Sequence, residues 1–385
     1  MSLTVDNKVP TTFSRTNPFP AKVLKNVNLN GASSSKETRH IELSLAGSGL
    51  SYVPGDALGI IPSNDPELVA ALIEEMKWDT ETVVVINKQG ETLPLKEALT
   101  NFFEITLLSK KVLQQAAELT ENEELKNLLL VENAAQLKEY TYGRDLLDML
   151  RDFGPWKASA QEVVSLLRKM TPRLYSISSS IAANPEQVHL TIGAVRYESH
   201  GRLRKGVCSV LVAERLPEGD ALPVFVQVNK HFGLPESDKD IIMVGPGTGI
   251  APFRSFIQER AVTETTGRSW LFFGDQHSSS DFLYQDELAK YQQDGVLTRL
   301  ETAFSRDTAQ KVYVQNKMLD NGKELYEWLE NGAYFYICGD KERMAKDVHN
   351  ALISIIEQEG AMSREAAEAY LNNMQEQGRY QRDVY

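Results

Sequence analysis

The sequence predicts a β domain that carries a helical insert and is followed by an α/β domain with a doubly wound parallel sheet. Three observations predict this. Apolar residues alternate with period two in two separated regions, at residues 21–62 and again at 171–229. Between these regions, over about residues 62–170, apolar residues recur at helical spacing. Beyond about Ser237 strand and helix patterns alternate, the signature of a parallel sheet covered on both faces.

Residues 1–16 are polar and read as an extended arm. "AKVLKNVNLN" and "TRHIELSLAG" are strand-like, each closed by turn residues. The Pro-Gly-Asp of "YVPGDALGII" makes a turn between two extended pieces. The segments "DPELVAALIEEMKW", "LPLKEALTNFF", "SKKVLQQAAELT" and "GRDLLDMLRDF" are helical, with Asp65 and Ser109 as N-caps. Strands return in "RLYSISSS", "QVHLTIGAVRYE", "GVCSVLVAERL" and "ALPVFVQVN". Strands then alternate with helices from "DIIMVGPG" to "KERMAKDVHNALISIIEQEG". The expected boundaries are a β domain at 17–235, built from 17–62 and 163–235 around an insert at 63–162, and an α/β domain at 236–385.

Composition narrows the function. A formal net charge of -12 disfavours general binding to the phosphate backbone of nucleic acid. No apolar run approaches the roughly 20 residues of a membrane span, and the start of the chain lacks the pattern of a signal peptide. Two distant cysteines, Cys208 and Cys338, exclude a disulfide framework and point to a reducing, cytoplasmic setting. The six histidines form no cluster at metal-ligand spacing, so no metal site is expected.

Five stretches could carry chemistry. "DIIMVGPGTGIAPFRSFI" runs a buried strand through Gly245, Gly247 and Gly249 into a helix. Such a turn lets backbone N–H groups approach a phosphate, although an ordinary tight turn reads the same way. "AFSRDTAQKVYVQ" places Ser305, Arg306, Lys311 and Tyr313 after a strand, a set suited to a phosphate monoester such as the 2′-phosphate of NADPH. In "TPRLYSISSS", Arg173 and Tyr175 share one face of a strand while Leu174 and Ser176 share the other. An Arg there offers a fork to a pyrophosphate and a Tyr can stack on a flat ring. Gly206 to Ser209 could open a helix aimed at a phosphate, with Cys208 as a small packing residue. "YFYICGD" delivers Cys338 to the carboxyl end of a strand, where an inert buried thiol is the common outcome and a functional group the alternative.

Taken in order with "VHLTIGAVRY", "LFFGDQ", "YICGDKERMAKDV" and "RYQRDVY", these stretches resemble the ferredoxin–NADP reductase superfamily, and within it the NADPH/FAD half of the diflavin reductases. The resemblance covers about residues 17–385. It implies an FAD-binding antiparallel β-barrel with a helical connecting insert, then an NADP-binding domain. The sequence departs from that resemblance in one respect: diflavin reductases begin with a flavodoxin-like FMN domain, and none is expected in these 385 residues, where only about 16 precede the first match.

The resemblance assigns residues one by one. Arg173 would meet the FAD pyrophosphate, Tyr175 would pack on the isoalloxazine with Leu174 beside it, and Ser176 would lie near flavin N5. Thr191, Ile192, Gly193, Tyr197 and Thr106 would line the FAD, with Gly206, Val207, Cys208 and Ser209 at its pyrophosphate and Tyr385 over the ring. Gly247, Thr248 and Arg254 would contact NADPH, as would Ser305, Arg306, Lys311, Tyr313, Gln315 and Asp347. Ser176, Cys338 and Asp383 would assist hydride transfer. The expected activity is that of an NADPH-dependent flavoprotein reductase passing electrons to a separate protein, either a sirohaem sulfite reductase hemoprotein or a flavodoxin or ferredoxin. A flavoprotein that has lost turnover and serves assembly is the reading from another class, and the intact Ser176, Cys338 and Asp383 argue against it.

Overall fold

The structure, a computed structural model, describes residues 13–385. Most of the expected arm at 1–16 therefore lies outside the described residues. The chain divides into two compact units. One comprises Met1–Gly59, Leu174–Gly193 and Pro217–Tyr385; the other comprises Ile60–Arg173 and Ala194–Leu216.

The first unit opens with an antiparallel sheet. Its strands are β1 (Phe19–Asn28), β2 (Thr38–Ser44), β3 (Ala57–Ile60), β6 (Arg173–Ser176), β7 (Gln187–Gly193) and β10 (Ala221–Gln227), in the order β6-β3-β10-β1-β2-β7. β2 pairs with β7 along its whole length, from Thr38 opposite Gly193 to Ser44 opposite Gln187. A bridge between Ile177 and Leu190 links the residue after β6 to β7, which closes the sheet into a barrel. The period-two pattern has its expected cause: Ala21 and Val23 of β1, and Ile41 and Leu43 of β2, are buried.

The same unit contains a five-stranded parallel sheet. Its strands are β11 (Ile241–Val244), β12 (Ser269–Asp275), β13 (Arg299–Phe304), β14 (Tyr334–Gly339) and β15 (Tyr380–Val384), ordered β13-β12-β11-β14-β15. The order reverses direction at β11, so the sheet is doubly wound. The three inner strands, β11, β12 and β14, bury both faces. Ile242, Val244, Trp270, Phe272, Phe335 and Ile337 pack into one core with the helices Met344–Glu359 and Arg364–Glu376. Ile241, Met243, Leu271, Phe273, Tyr336 and Cys338 pack into the other with the helix Ile250–Val262. Fully burying a side chain of this size contributes about 1.5–3 kcal/mol. These two layers fix the strand ends that carry the candidate site.

The second unit is mainly helical. Asp65 caps the helix Pro66–Met76 by accepting from the N–H of Glu67, and Ser109 caps Lys110–Thr120 by accepting from Val112. Val69, Leu72, Leu95, Leu99, Leu113 and Leu146 form its core. Two hairpins accompany the helices: β4 (Val83–Val85) with β5 (Thr92–Pro94), and β8 (Arg196–Ser199) with β9 (Arg202–Lys205). Arg204 is buried and bonds Asp145 at 2.9 Å and Asp148 at 2.8 Å, which ties β9 to the capping box of the helix Leu146–Asp152. A buried arginine needs such paired carboxylates.

Three local expectations are corrected. "GVCSVLVAERL" is no strand: Ser209–Glu214 is a helix, because Val210, Leu211 and Val212 find buried positions on it that outweigh the β-branched preference of the two valines. The helix expected over "SDFLYQDELAKYQQ" breaks into Ser278–Asp281 and Gln285–Gln293, with Tyr284 between them in a left-handed conformation. The helical run from Val312 divides into Val314–Asp320 and Gly322–Glu330 at Asn321.

Candidate functional site

At the carboxyl edge of the parallel sheet, β15 lies beside β14 in a register that sets Asp383 opposite Cys338. Ser176, at the end of β6, donates from its hydroxyl to Asp383 Oδ2 at 2.5 Å. The Cys338 thiol donates to the same oxygen at 3.9 Å. One carboxylate therefore gathers the three residues expected to act together. Burial pushes the Cys338 thiol well above its ordinary range, and the neighbouring Asp383 pushes it further. Both effects favour the neutral thiol over the thiolate.

The Gly-rich turn closes against this cluster. A Cβ on Gly249 would stand 2.2 Å from the Cys338 carbonyl oxygen, so only glycine fits there. Gly247 has φ +56°, and Thr248 Oγ1 lies 3.0 Å from the Tyr385 hydroxyl. The backbone N–H of Tyr385 donates to Gly339 O at 3.2 Å, so this residue is held at the turn while its side chain stays largely exposed. The β7 end is near too, with Thr248 Cγ2 at 3.4 Å from the position of a Cβ on Gly193. Tyr175 is half-buried and Leu174 exposed.

Three of the expected contact residues here are buried. Arg254 is 8% exposed and committed to protein partners: Glu287 at 2.9 Å, the Ser178 carbonyl at 2.7 Å and the Tyr284 ring at 4.7 Å. It is a buried cation held by these protein partners. Thr191 and Ile192 are buried, and the Thr191 hydroxyl lies 2.6 Å from the Tyr284 hydroxyl.

The loop after β13 carries the phosphate candidates. The backbone N–H groups of Ser305 and Arg306 donate to the carbonyls of Asp275 and Gln276, which pins the loop to the end of β12. Arg306, Lys311 and Tyr313 are exposed, and neither cation has an ion-pair partner among the described residues. Gln315 reaches Asp347 at 3.4 Å, bringing those two residues together. Two unpaired cations beside a hydroxyl and a phenol fit a phosphate monoester.

The second unit holds the other expected FAD contacts. Arg173 donates to Thr171 at 2.6 Å and to Glu104 at 2.9 Å, while Thr106 donates to Glu104 at 2.6 Å. Burial would raise the Glu104 carboxyl, but the bonds from Thr106 and Arg173 more than offset it and hold it below the usual range. Glu104, absent from the sequence expectations, is thus the group that orients Arg173 and Thr106 together. Gly206 leads into the turn before Ser209–Glu214, with Val207 and Cys208 buried, and Ser209 accepts from the Val195 N–H at 3.1 Å. That helix has no acidic residue in its first turn. An arginine fork and a helix start without acidic residues are each donor types that suit a phosphate. Tyr197 is exposed on β8.

Folding also assembles a cluster that sequence spacing missed. His40 and Glu42 on β2 meet His189 on β7, directly opposite Glu42. The contacts describe a hydrogen-bond network rather than a metal centre. Arg254 lies 3.3 Å from His189 Nδ1, and a guanidinium can only donate, so that nitrogen accepts and Nε2 carries the proton toward Gln187. Burial, followed by Arg254, lowers the pKa of His40 to about 4 and that of His189 to about 3. The native state thus refuses protons that the unfolded chain takes up near pH 6.5. Stability is fully present above that pH and falls below it, by about 1.4 kcal/mol per pH unit for each histidine. Thermal melting followed from pH 7 to pH 4.5 is expected to show this slope, and His189→Asn is expected to reduce it to the share that His40 contributes.

Residues 11–211 match the FAD binding domain family and residues 243–350 match the oxidoreductase NAD-binding domain family. Over 374 residues the chain is 63% identical to the sulfite reductase (NADPH) flavoprotein alpha-component of Bacillus subtilis, 47% to that of Vibrio cholerae and 46% to that of Escherichia coli. Each match covers 97% of this chain but only 62%, 60% and 62% of the respective relative. The chain thus spans less than two thirds of the length of the curated relatives it matches. With more than half of its residues in the first match and a barrel followed by a doubly wound sheet, the chain belongs to the FAD binding domain family, as a ferredoxin–NADP reductase-like module of the diflavin reductase type.

Proposed function

We propose that this chain is an NADPH-dependent flavoprotein reductase that delivers electrons from FAD to a separate protein. The observation that carries the reading is the convergence of Ser176 and Cys338 on Asp383 at the carboxyl edge of the parallel sheet. Residues 17–235 would serve FAD and residues 236–385 NADPH. Bound FAD supplies hydride acceptance at N5 and the release of electrons one at a time.

The chain's own residues do the positioning. Asp383 presents negative charge where positive charge develops as a nicotinamide gives up hydride, and the Ser176 hydroxyl fixes that carboxylate in place. The neutral Cys338 thiol packs at the same point without competing for the hydride. Arg306 and Lys311 select the 2′-phosphate, and Arg173, set by Glu104, meets the FAD pyrophosphate. Tyr385, 65% exposed and tethered by its backbone, is placed to act as a displaceable cover for the flavin ring.

The names of the relatives support a sirohaem sulfite reductase hemoprotein as the acceptor, and the two free cysteines suit a cytoplasmic setting. The first test is NADPH-dependent ferricyanide reduction by the FAD-loaded protein. Turnover is expected, and its absence from a fully loaded sample would overturn the assignment. Electron delivery to the hemoprotein, compared with delivery to a flavodoxin or ferredoxin of the same source, then identifies the acceptor.

A further inference from the structure

Asp275 ends β12 with its side chain only 1% exposed. Its Oδ1 accepts from Lys36 Nζ at 2.6 Å and from the Gln276 N–H at 2.7 Å. Its Oδ2 is buried and has no hydrogen-bond partner among the described residues. A buried acceptor without a donor is costly and calls for an explanation, a bound group among them. Burial pushes the Asp275 carboxyl upward, while Lys36 pulls it back.

The free oxygen has a direction. A Cβ on Gly247 would lie 3.8 Å from Asp275 Oδ2 and 3.7 Å from Lys36 Nζ. The oxygen therefore faces the Gly-rich turn that follows β11. The strand order is β13-β12-β11-β14-β15. The phosphate loop follows β13, while Cys338 and Asp383 lie on β14 and β15. A dinucleotide reaching from one to the other must cross the ends of β12 and β11. Between its 2′-phosphate and its nicotinamide ring, the hydrogen-bond donors of such a molecule are ribose hydroxyls, because the ionised diphosphate only accepts.

We infer that Asp275 is a specificity-determining residue of the dinucleotide site, with Oδ2 accepting a hydrogen bond from a ribose hydroxyl. Lys36 is its positioning residue, holding Oδ1 and leaving Oδ2 turned to the ligand. The inference rests on the NADPH reading given above.

The test is calorimetric titration of NADP+ and of adenosine 2′,5′-bisphosphate into FAD-loaded protein. Removing Asp275 alone would free the Lys36 ammonium for the phosphates and mask the loss. The comparison is therefore between Lys36→Met and the double variant Lys36→Met/Asp275→Ala. Adding Asp275→Ala is expected to raise the NADP+ Kd about tenfold, the effect of one charge-assisted hydrogen bond. A parallel rise for the bisphosphate places the hydroxyl on the adenosine ribose; an unchanged value places it on the nicotinamide ribose. Equal NADP+ affinities in the two variants, together with full affinity of the wild-type protein for every NADP+ analogue lacking a ribose hydroxyl, would overturn the inference. Should the double variant lose flavin or fold, the wild-type protein answers the same question with NADP+ analogues lacking ribose hydroxyls. One analogue must bind about tenfold more weakly, and full affinity for all of them overturns the inference. Arg306→Ala separates the premise from the inference: if it leaves NADP+ binding untouched, the NADPH reading of the loop is what fails.

Discussion

Replacing Asp383 with Asn is expected to slow NADPH-dependent flavin reduction by about a hundredfold while leaving NADPH affinity nearly unchanged. The side chains have the same shape, so packing beside Cys338 survives. What changes is charge. The carboxylate accepts from Ser176 at 2.5 Å and from Cys338 at 3.9 Å, both through Oδ2. An amide either turns its NH2 toward those two donors or keeps its oxygen there without the negative charge. Positive charge builds on the nicotinamide only as hydride departs, so the lost interaction belongs to the transition state. Removing one such preorganised group typically costs about 10²–10³ in rate, or about 2.7–4 kcal/mol. Stopped-flow reduction at saturating NADPH reads the rate, and NADPH deuterated at the transferred position confirms through its isotope effect that hydride transfer is the step affected. An unchanged rate would remove Asp383 from the mechanism. A raised Kd with unchanged maximal rate would make it a ground-state binding residue instead. Ser176→Ala is expected to have the smaller effect of about tenfold, since it leaves the charge and loosens only its placement.

The parallel sheet was legible because its strands are nearly continuous apolar runs separated by helical spacing. β15 was not, because an edge strand buries less and spells a weaker pattern. Its "YQRDV" has Tyr380 buried and Val384 partly buried, with polar residues between. The helix Arg364–Glu376 was also missed, although Ser363 accepts from Ala366 as a helix cap and could have announced it. Strand edges hid the most at the site. Ser176 and Asp383 stand 207 residues apart and touch only because β6 ends beside the carboxyl end of β15, where Asp383 lies opposite Cys338 of β14. The resemblance of motifs could name both residues, but no local pattern could place one oxygen between them. Glu104 and Asp275 were invisible for a related reason. Each is an acidic residue in an apolar setting, and only the folded structure shows which donors meet one and which oxygen of the other is left without any. The partners of Arg254 were equally illegible: it follows a phosphate-type turn, and only the fold shows it meeting Glu287 and Tyr284.

Replacing both Arg306 and Lys311 with Ala is expected to raise the NADPH KM about a hundredfold and to leave the NADH KM within about twofold. Both side chains are exposed on the loop after β13, and neither is paired with a carboxylate among the described residues. An exposed pair with no partner adds little to stability, so the fold is expected to melt unchanged. A bound 2′-phosphate changes that balance. It carries close to two negative charges at neutral pH, and each charge-assisted hydrogen bond to it contributes about 1.5–3 kcal/mol. Two of them at the lower end give about 3 kcal/mol, or a little over a hundredfold. NADH lacks the phosphate and so has nothing to lose. The loop itself is held independently of the two cations, by Ser305 and Arg306 backbone bonds to β12 and by Asp307 accepting from the Ser278 N–H at 3.2 Å. A collapse of the loop would therefore not mimic the effect. Steady-state kinetics with both nucleotides on the same preparation decides the matter. Equal losses for NADPH and NADH would mean that these residues shape the site in general, and that discrimination between the nucleotides is made elsewhere along the sheet edge.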